Sequence, residues 1–588
     1  MVSQPNVARA GRVLVLGSDT RSFLAVIRSL GRAGLGVHVA WCPEYSPSLC
    51  SKYIQAFHEI PYYRPVDQGW IASFNELLGK YEFDLVLPCD DAALLPLQLN
   101  RQSLLRVQTI YLLDDLAYRT VSDKRHTYAL AQSLGISLPR QAVVASQSEL
   151  RDAVREFGYP AFAKPFCSAD ADDPRARRAV KKIRSINDIQ QVSTGMLARG
   201  PALIQQYFEG IGVGVEALCC EGELLVAFQH ERVHEPQSGG GSSYRRSVPL
   251  SLELLDATRR LLRAINYNGV AMVEFRHNVR TKKWVLLEIN GRFWGSLPLA
   301  VAAGVDFPRY LYEMLVHGNR AFSGEYKSGI YCRNWRVDIG WMKANARARE
   351  SNVAGTVSPW RLTTELWNIL RLREHSDTLT LDDPRPGIEE VTTVVARVGE
   401  VVVSRWRQAR HSFDHRALSA LQNASRLLFV CKGNICRGPF AEYYLRMVSP
   451  SIRTSSAGLL PSEDRRSPKA AIAAALAWNT DLSKHRSRTL RSSELAAWDI
   501  VFVFEVEQLR AVKRMVRRSK VSTKVFLLGG LEVSGPCEIA DPFGRELHQF
   551  ETTYHRIARL VDVLAAKLAS RKESAECIPS DERLPVCK

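Results

Sequence analysis

The stretch that most constrains this chain is Arg426-Leu-Leu-Phe-Val-Cys431-Lys-Gly-Asn-Ile-Cys436-Arg437-Gly438-Pro439. Its apolar run reads as a buried strand, and Phe440-Ala-Glu-Tyr-Tyr-Leu-Arg-Met after Pro439 takes up a helical period, so the pattern is strand, loop, helix start. Between Cys431 and Arg437 the backbone N–H groups of Lys432, Gly433, Asn434, Ile435 and Cys436 can turn inward, and the following helix adds its positive end. That combination is a nest for a tetrahedral dianion, closed by the planar, two-pronged cation of Arg437. The same field predicts a Cys431 thiol well below its ordinary pKa, nucleophilic at neutral pH. A simple buried cysteine at a strand end is the plainer alternative.

Downstream, Asp541-Pro542-Phe543-Gly544 places a carboxylic acid on a stiff turn, where it can protonate a leaving oxygen. With Ser455-Ser-Ala-Gly458 and Asp481-Leu-Ser-Lys-His-Arg-Ser487, these motifs resemble the low-molecular-weight protein tyrosine phosphatase family from about Leu427 to Leu568. The resemblance implies hydrolysis of phosphotyrosyl protein, or of a small phosphorylated substrate, through a cysteinyl-phosphate on Cys431. Arg437 would bind the phosphoryl oxygens, Asp541 would act as acid and then base, Asn434 would brace the loop, and no cofactor would be needed. Two residues depart from the family pattern: Lys432 stands where an apolar residue is usual, and Gly438 where a serine is usual. Cys436 reads equally as a reversible disulfide partner of Cys431 or as a small core residue. Arsenate reduction on the same fold would need further redox cysteines, and only Cys537 lies near Asp541 in sequence.

Four apolar runs alternate with helical segments in this region: Arg426 to Cys431, Ile452 to Ser456, Asp499 to Phe504 and Lys524 to Leu528. They predict an α/β domain with a doubly wound, parallel four-stranded sheet and the loop at the carboxyl end of its first strand. Helices are expected at Ala470 to Trp478 and Glu551 to Leu568, and the last segment, 569–588, is expected to be a polar, frayed tail.

A second set of residues lies in the N-terminal half. Arg12-Val-Leu-Val-Leu-Gly17, a helical period from Ser22 to Ala33, Val37 to Ala40 and Asp84 to Pro88 open an α/β unit, with Asp90 and Asp91 at the end of a strand. Lys124 begins a helix, Lys164 sits alone among apolar residues, and Gln205-Gln206-Tyr207-Phe208, Glu274 and Glu288-Ile-Asn290-Gly-Arg292 follow in order. A lysine in an apolar strand is costly to bury unless it meets an anion. The series resembles the ATP-grasp superfamily, chiefly its carboxylate–amine ligases, over about Val13 to Gly318. The resemblance implies that Lys124 and Lys164 reach the phosphates of ATP, that Gln205 to Phe208 form the hinge beside adenine, and that Glu274, Glu288 and Asn290 hold Mg2+. Arg292 would neutralise an acylphosphate formed from a carboxylate before an amine attacks it. Gln206 stands where the family commonly has an acid. Glu274 and Glu288 flank a turn at Asn278 to Lys282, which puts both carboxylates on one face of a sheet. Gly239 to Ser243 reads as a flexible cover, with Arg245 and Arg246 either on a substrate carboxylate or in solvent.

The expected organisation is a pre-ATP-grasp domain (1–120), a nucleotide and metal domain (121–318), a ligase tail and connector (319–425), the phosphatase domain (426–568) and the tail. Between residues 335 and 341 the pattern alternates weakly. The formal charge of +18 would suit nucleic acid, an anionic membrane surface or phosphorylated substrates. No nucleic-acid-binding pattern accompanies it, and no apolar run has the length of a membrane span. Twelve scattered cysteines without a leader segment point to a reducing cytoplasm. Two further readings stay open: a phosphatase for a metabolite of the ligase pathway, and an ATP-grasp module kept as a nucleotide-binding regulator.

Overall fold

The structure, a computed structural model, describes residues 11–17, 21–65, 67–170, 174–175, 180–236, 241–350, 356–365, 367–392, 395, 415–422, 424–460, 463–532 and 536–576. It separates into two compact units, Met1–Cys42 with Pro47–Glu390, and Pro43–Ser46 with Val391–Lys588.

The first unit opens with four parallel strands, β1 (Arg12–Leu16), β2 (Gly36–Ala40), β3 (Ile54–His58) and β4 (Leu85–Pro88), in the order β3-β2-β1-β4. The helix Ser22–Arg32 is buried along Phe23, Leu24, Val26, Ile27 and Leu30. A second sheet contains β5 (Gln141–Val144), β6 (Ala161–Lys164), β7 (Lys181–Ile183) and β8 (Ala202–Gln206), all antiparallel. The largest sheet has seven strands: β9 (Ile211–Cys220), β10 (Glu223–His234), β11 (Tyr244–Ser247), β12 (Gly269–His277), β13 (Trp284–Asn290), β14 (Tyr331–Arg333) and β15 (Glu374–Ser376), in the order β13-β12-β9-β10-β11-β14-β15.

Strands β14 and β15 belong to that sheet, so the chain beyond Asn319 continues the first unit's core. The weak alternation at Trp335 to Trp341 is a helix instead, Trp335–Glu350. Asn334 Oδ1 caps it by accepting from Val337 N at 3.1 Å, and Trp341 stacks on the buried His234 with ring centroids 3.6 Å apart. Seven residues are too short a window for the helical period to show.

The second unit carries β16 (Arg426–Cys431), β17 (Arg453–Gly458), β18 (Ile500–Val503) and β19 (Lys524–Leu527), all parallel, in the order β17-β16-β18-β19. Its strands are buried on both faces by separate apolar clusters, as a doubly wound sheet requires. The last helix, Leu547–Glu576, starts earlier and runs further than expected, so residues 569–576 are helical rather than frayed. Tyr554 anchors it, stacked on Phe440 at 4.1 Å with its hydroxyl donating to Cys436 O at 3.2 Å. Residues 577–588, Gly239, Gly240 and residues 176–179 lie outside the described residues.

Candidate active sites

In the second unit β16 ends at Cys431, and the helix Arg437–Val448 begins six residues later. Asn434 sets the loop between them. It takes a left-handed backbone with φ of 51°, which asparagine tolerates better than most residues. Its side chain is fully buried, donating to Ser456 Oγ at 2.8 Å and accepting from Arg488 N at 3.0 Å. His485 Nε2 lies 2.8 Å from Asn434 O, and since a carbonyl only accepts, that nitrogen carries the proton. Ser456 Oγ donates on to Glu442 Oε2 at 2.6 Å. The segments Ser455 to Gly458 and Asp481 to Ser487, singled out by resemblance, thus clamp the loop from behind.

Asn434 N approaches Cys431 Sγ at 3.3 Å, and the Gly438 amide also bonds the sulfur. Arg437 is 1 % exposed. Its Nη1 donates to Glu505 Oε1 at 2.9 Å and to Ile539 O at 2.8 Å, while Nη2 lies 2.9 Å from Asp541 Oδ2. Arg437 Nε and Nη2 nevertheless have no hydrogen-bond acceptor of good geometry. Two buried, cationic donors beside the sulfur fit two oxygens of a phosphoryl group.

Cys431, Arg437 and Asp541 are therefore brought together, although more than a hundred residues separate the first from the last. The expectation of a depressed Cys431 pKa is not met. Burial pushes the thiol above its ordinary value, outweighing the lowering by Arg437 and by the Gly438 and Asn434 amides, and the Asp541 carboxylate adds to the rise. Cys436 is buried as well, and burial followed by the Asp541 charge pushes its thiol up. Lys432 is exposed at the rim, and Gly433 and Ile435 complete the loop.

In the first unit Glu274 and Glu288 are direct cross-strand partners of β12 and β13, so their side chains share a face. Arg232 Nη2 sits 2.6 Å from Glu274 Oε2 and Lys124 Nζ 3.4 Å from Glu288 Oε2, while Asn290 Nδ2 donates to Glu288 Oε1 at 3.4 Å. Burial raises the Glu274 carboxyl, offset only in part by Arg232. At Glu288 burial is outweighed by Lys124 and then Lys164, which hold the carboxyl down at about 2. Burial brings the Lys164 ammonium down to about 8. Among the described residues no three His, Cys, Asp or Glu side chains gather for a metal ion. The hard-oxygen set is two carboxylates and an amide, which suits Mg2+ completed by phosphate and water.

Asp91, Tyr118, Lys124, Glu288, Asn290 and Arg292 line a cleft of about 320 Å³. Arg292 is paired there with Asp91, through Nε at 3.2 Å and Nη2 at 3.0 Å. In the sequence Asp91 is legible only as a strand-end acid, because its partner Arg292 lies 201 residues away. Gln205 is buried and donates to Tyr128 Oη at 3.3 Å, and Gln206 N donates to Arg140 O at 2.9 Å. Tyr207 packs beside Phe162 and under Lys182. Arg245 is buried on Asp377 at 2.5 Å, whereas Arg246 is exposed and pairs with Glu231.

A parallel, doubly wound sheet whose first strand delivers a cysteine to an arginine-closed anion loop defines a phosphatase domain of the cysteine-dependent kind. The family described as low molecular weight phosphotyrosine protein phosphatase matches residues 426–574, and the chain belongs to that family through this unit. It is 30% identical over 142 residues to the probable low molecular weight protein-tyrosine-phosphatase EpsP of Ralstonia nicotianae, covering 24% of this chain and 94% of that protein. With the Wzb phosphatase of Salmonella typhi it shares 29% over 135 residues, 23% of this chain and 88% of the relative. Residues 199–336 match the family described as ATP-grasp in the biosynthetic pathway with Ter operon. That match lies within the first unit. An L-amino acid ligase from Bacillus licheniformis overlaps 55% of this chain and 79% of its own, at 13% identity and a TM-score of 0.43.

Proposed function

We propose that the second unit hydrolyses phosphotyrosyl protein and that the first is an ATP-dependent carboxylate–amine ligase. The observation that carries the phosphatase reading is the pair of buried Arg437 donors beside Cys431, with Asp541 within 2.9 Å of the same guanidinium. A dianionic phosphoryl group takes those donors and competes with the Asp541 carboxylate for Arg437. Cys431, once ionised, attacks phosphorus in line; the S–P bond forms as the P–O bond breaks, and Asp541 in its acid form gives its proton to the leaving phenolic oxygen. Water then attacks the same phosphorus, Asp541 takes its proton, and the S–P bond breaks to regenerate Cys431. Throughout, Arg437 and the loop amides hold the equatorial oxygens.

In the first unit Lys124 and Lys164 bind the phosphates of ATP, and the backbone of Gln206 to Phe208 takes the adenine edge. Glu274, Glu288 and Asn290 would hold Mg2+, which would supply Lewis-acid neutralisation of phosphate charge. Arg292, released from Asp91, neutralises the acylphosphate that the amine attacks.

Hydrolysis of phosphotyrosyl peptides by the full chain, abolished in Cys431→Ser, tests the first activity. ADP release that depends on a carboxylate and an amine, abolished in Glu288→Gln but kept in Cys431→Ser, tests the second. Absence of either dependence in the wild type refutes that half of the reading.

A further inference from the structure

We propose that Arg465 is a specificity-determining residue of the phosphatase unit, which holds an acidic side chain flanking the phosphotyrosine. The inference rests on the phosphotyrosyl reading above and adds to it a substrate class. Arg465 stands at the mouth of the site between two of its walls. Its Nη1 lies 3.9 Å from the point that a β-carbon on Gly433 would occupy, against the phosphate loop. Its guanidinium carbon is 5.9 Å from the ring centroid of Phe543, the aromatic residue of the Asp541 turn. The guanidinium therefore spans the gap between the loop that binds phosphorus and the ring beside which an aryl group would lie.

Arg465 is half-buried, and its backbone is fixed. Arg465 N donates to Ser487 Oγ at 3.0 Å, Ser487 N returns a bond to Arg465 O at 3.0 Å, and Asp464 N donates to Ser487 O at 2.7 Å. Two residues either side of Ser487 hold the loop itself: His485 on Asn434 O, and the Arg488 amide on Asn434 Oδ1. One short segment thus sets both the phosphate loop and the backbone of Arg465.

Phe543 is 50 % exposed and faces solvent as a wall for a tyrosyl ring. A ring that lies along it with its phosphate on Arg437 brings the neighbouring residues of the peptide past Arg465, with the exposed Lys432 on the same rim. A glutamate or aspartate there meets a preplaced cation, whereas a lysine meets like charge.

The test uses the full chain and three phosphotyrosyl peptides that differ only beside the phosphotyrosine, with Glu, Gln or Lys. The wild type is expected to prefer Glu over Gln in kcat/KM by about threefold to fivefold, the scale of a partly exposed ion pair, and to rank Lys last. The preference should shrink with added salt, collapse in Arg465→Gln and survive in part in Arg465→Lys. Equal kcat/KM for the three peptides, or an unchanged ranking in Arg465→Gln, would overturn the assignment while leaving phosphotyrosyl hydrolysis intact. Failure of the wild type on all three peptides would instead remove the phosphotyrosyl reading and this inference with it.

Discussion

Replacing Gly438 by serine is the sharpest probe of the phosphate loop. A β-carbon on Gly438 would stand 3.3 Å from Cys431 Sγ, 3.5 Å from Phe429 O and 3.5 Å from the Ser456 β-carbon. The space admits it with a shift of a few tenths of an ångström, and a hydroxyl on that carbon reaches the sulfur. In the native chain burial pushes the Cys431 thiol up, and the Gly438 amide is already among the groups that oppose this. A hydroxyl donating to the thiolate favours the charged form, so the thiol pKa falls. A hydrogen bond to a charged group contributes about 1.5–3 kcal/mol, which corresponds to a fall of about 1–2 pH units. The assay is the rate of Cys431 alkylation by iodoacetate against pH. In the native chain the rate should still be climbing at pH 9, and in Gly438→Ser the midpoint should move down by about 1–2 units. Gly438→Ala supplies the β-carbon without the donor. A midpoint unmoved in the serine variant, or moved equally in the alanine variant, refutes the reasoning.

Three further outcomes follow from the geometry. Asp541→Asn should slow hydrolysis of phosphotyrosyl peptide by about 10²–10⁴ and hydrolysis of p-nitrophenyl phosphate much less, since the better leaving group needs little protonation; equal losses on both would deny Asp541 its role as acid. Asn434→Ala removes two buried side-chain bonds and leaves a left-handed backbone to alanine, so it should lower stability by about 3 kcal/mol, read as an earlier thermal loss of phosphatase activity. Lys164 loses its proton near pH 8 and is charged below it. ATP affinity measured by calorimetry should therefore fall between pH 7 and pH 9, with proton uptake on binding at pH 8, and Lys164→Met should abolish both. A flat profile would take Lys164 off the phosphates.

Much of this was legible along the chain because it depends on neighbours in sequence. A strand running into Cys431, a loop whose length suits a dianion, and a helix starting at Arg437 are local facts, and the alternation of apolar runs with helices implies a parallel sheet. The paired carboxylates on β12 and β13 were readable for the same reason, since a short turn sets the register between them.

What depended on tertiary structure was the balance of charge and burial. The loop alone argued for an ionised Cys431, yet the side chain is 3 % exposed and shares its cation with Asp541, so its thiol is held up rather than down. The helix Trp335–Glu350 was likewise hidden, because its stabilising contact is with His234, a hundred residues earlier. The pairing of Arg292 with Asp91 and the placing of Arg465 between Gly433 and Phe543 join residues that no sequence spacing connects. Periodicity and turn chemistry act over a few residues and are written in order along the chain. Desolvation and Coulomb energy depend on distance in space, so they were decided only when the chain had folded.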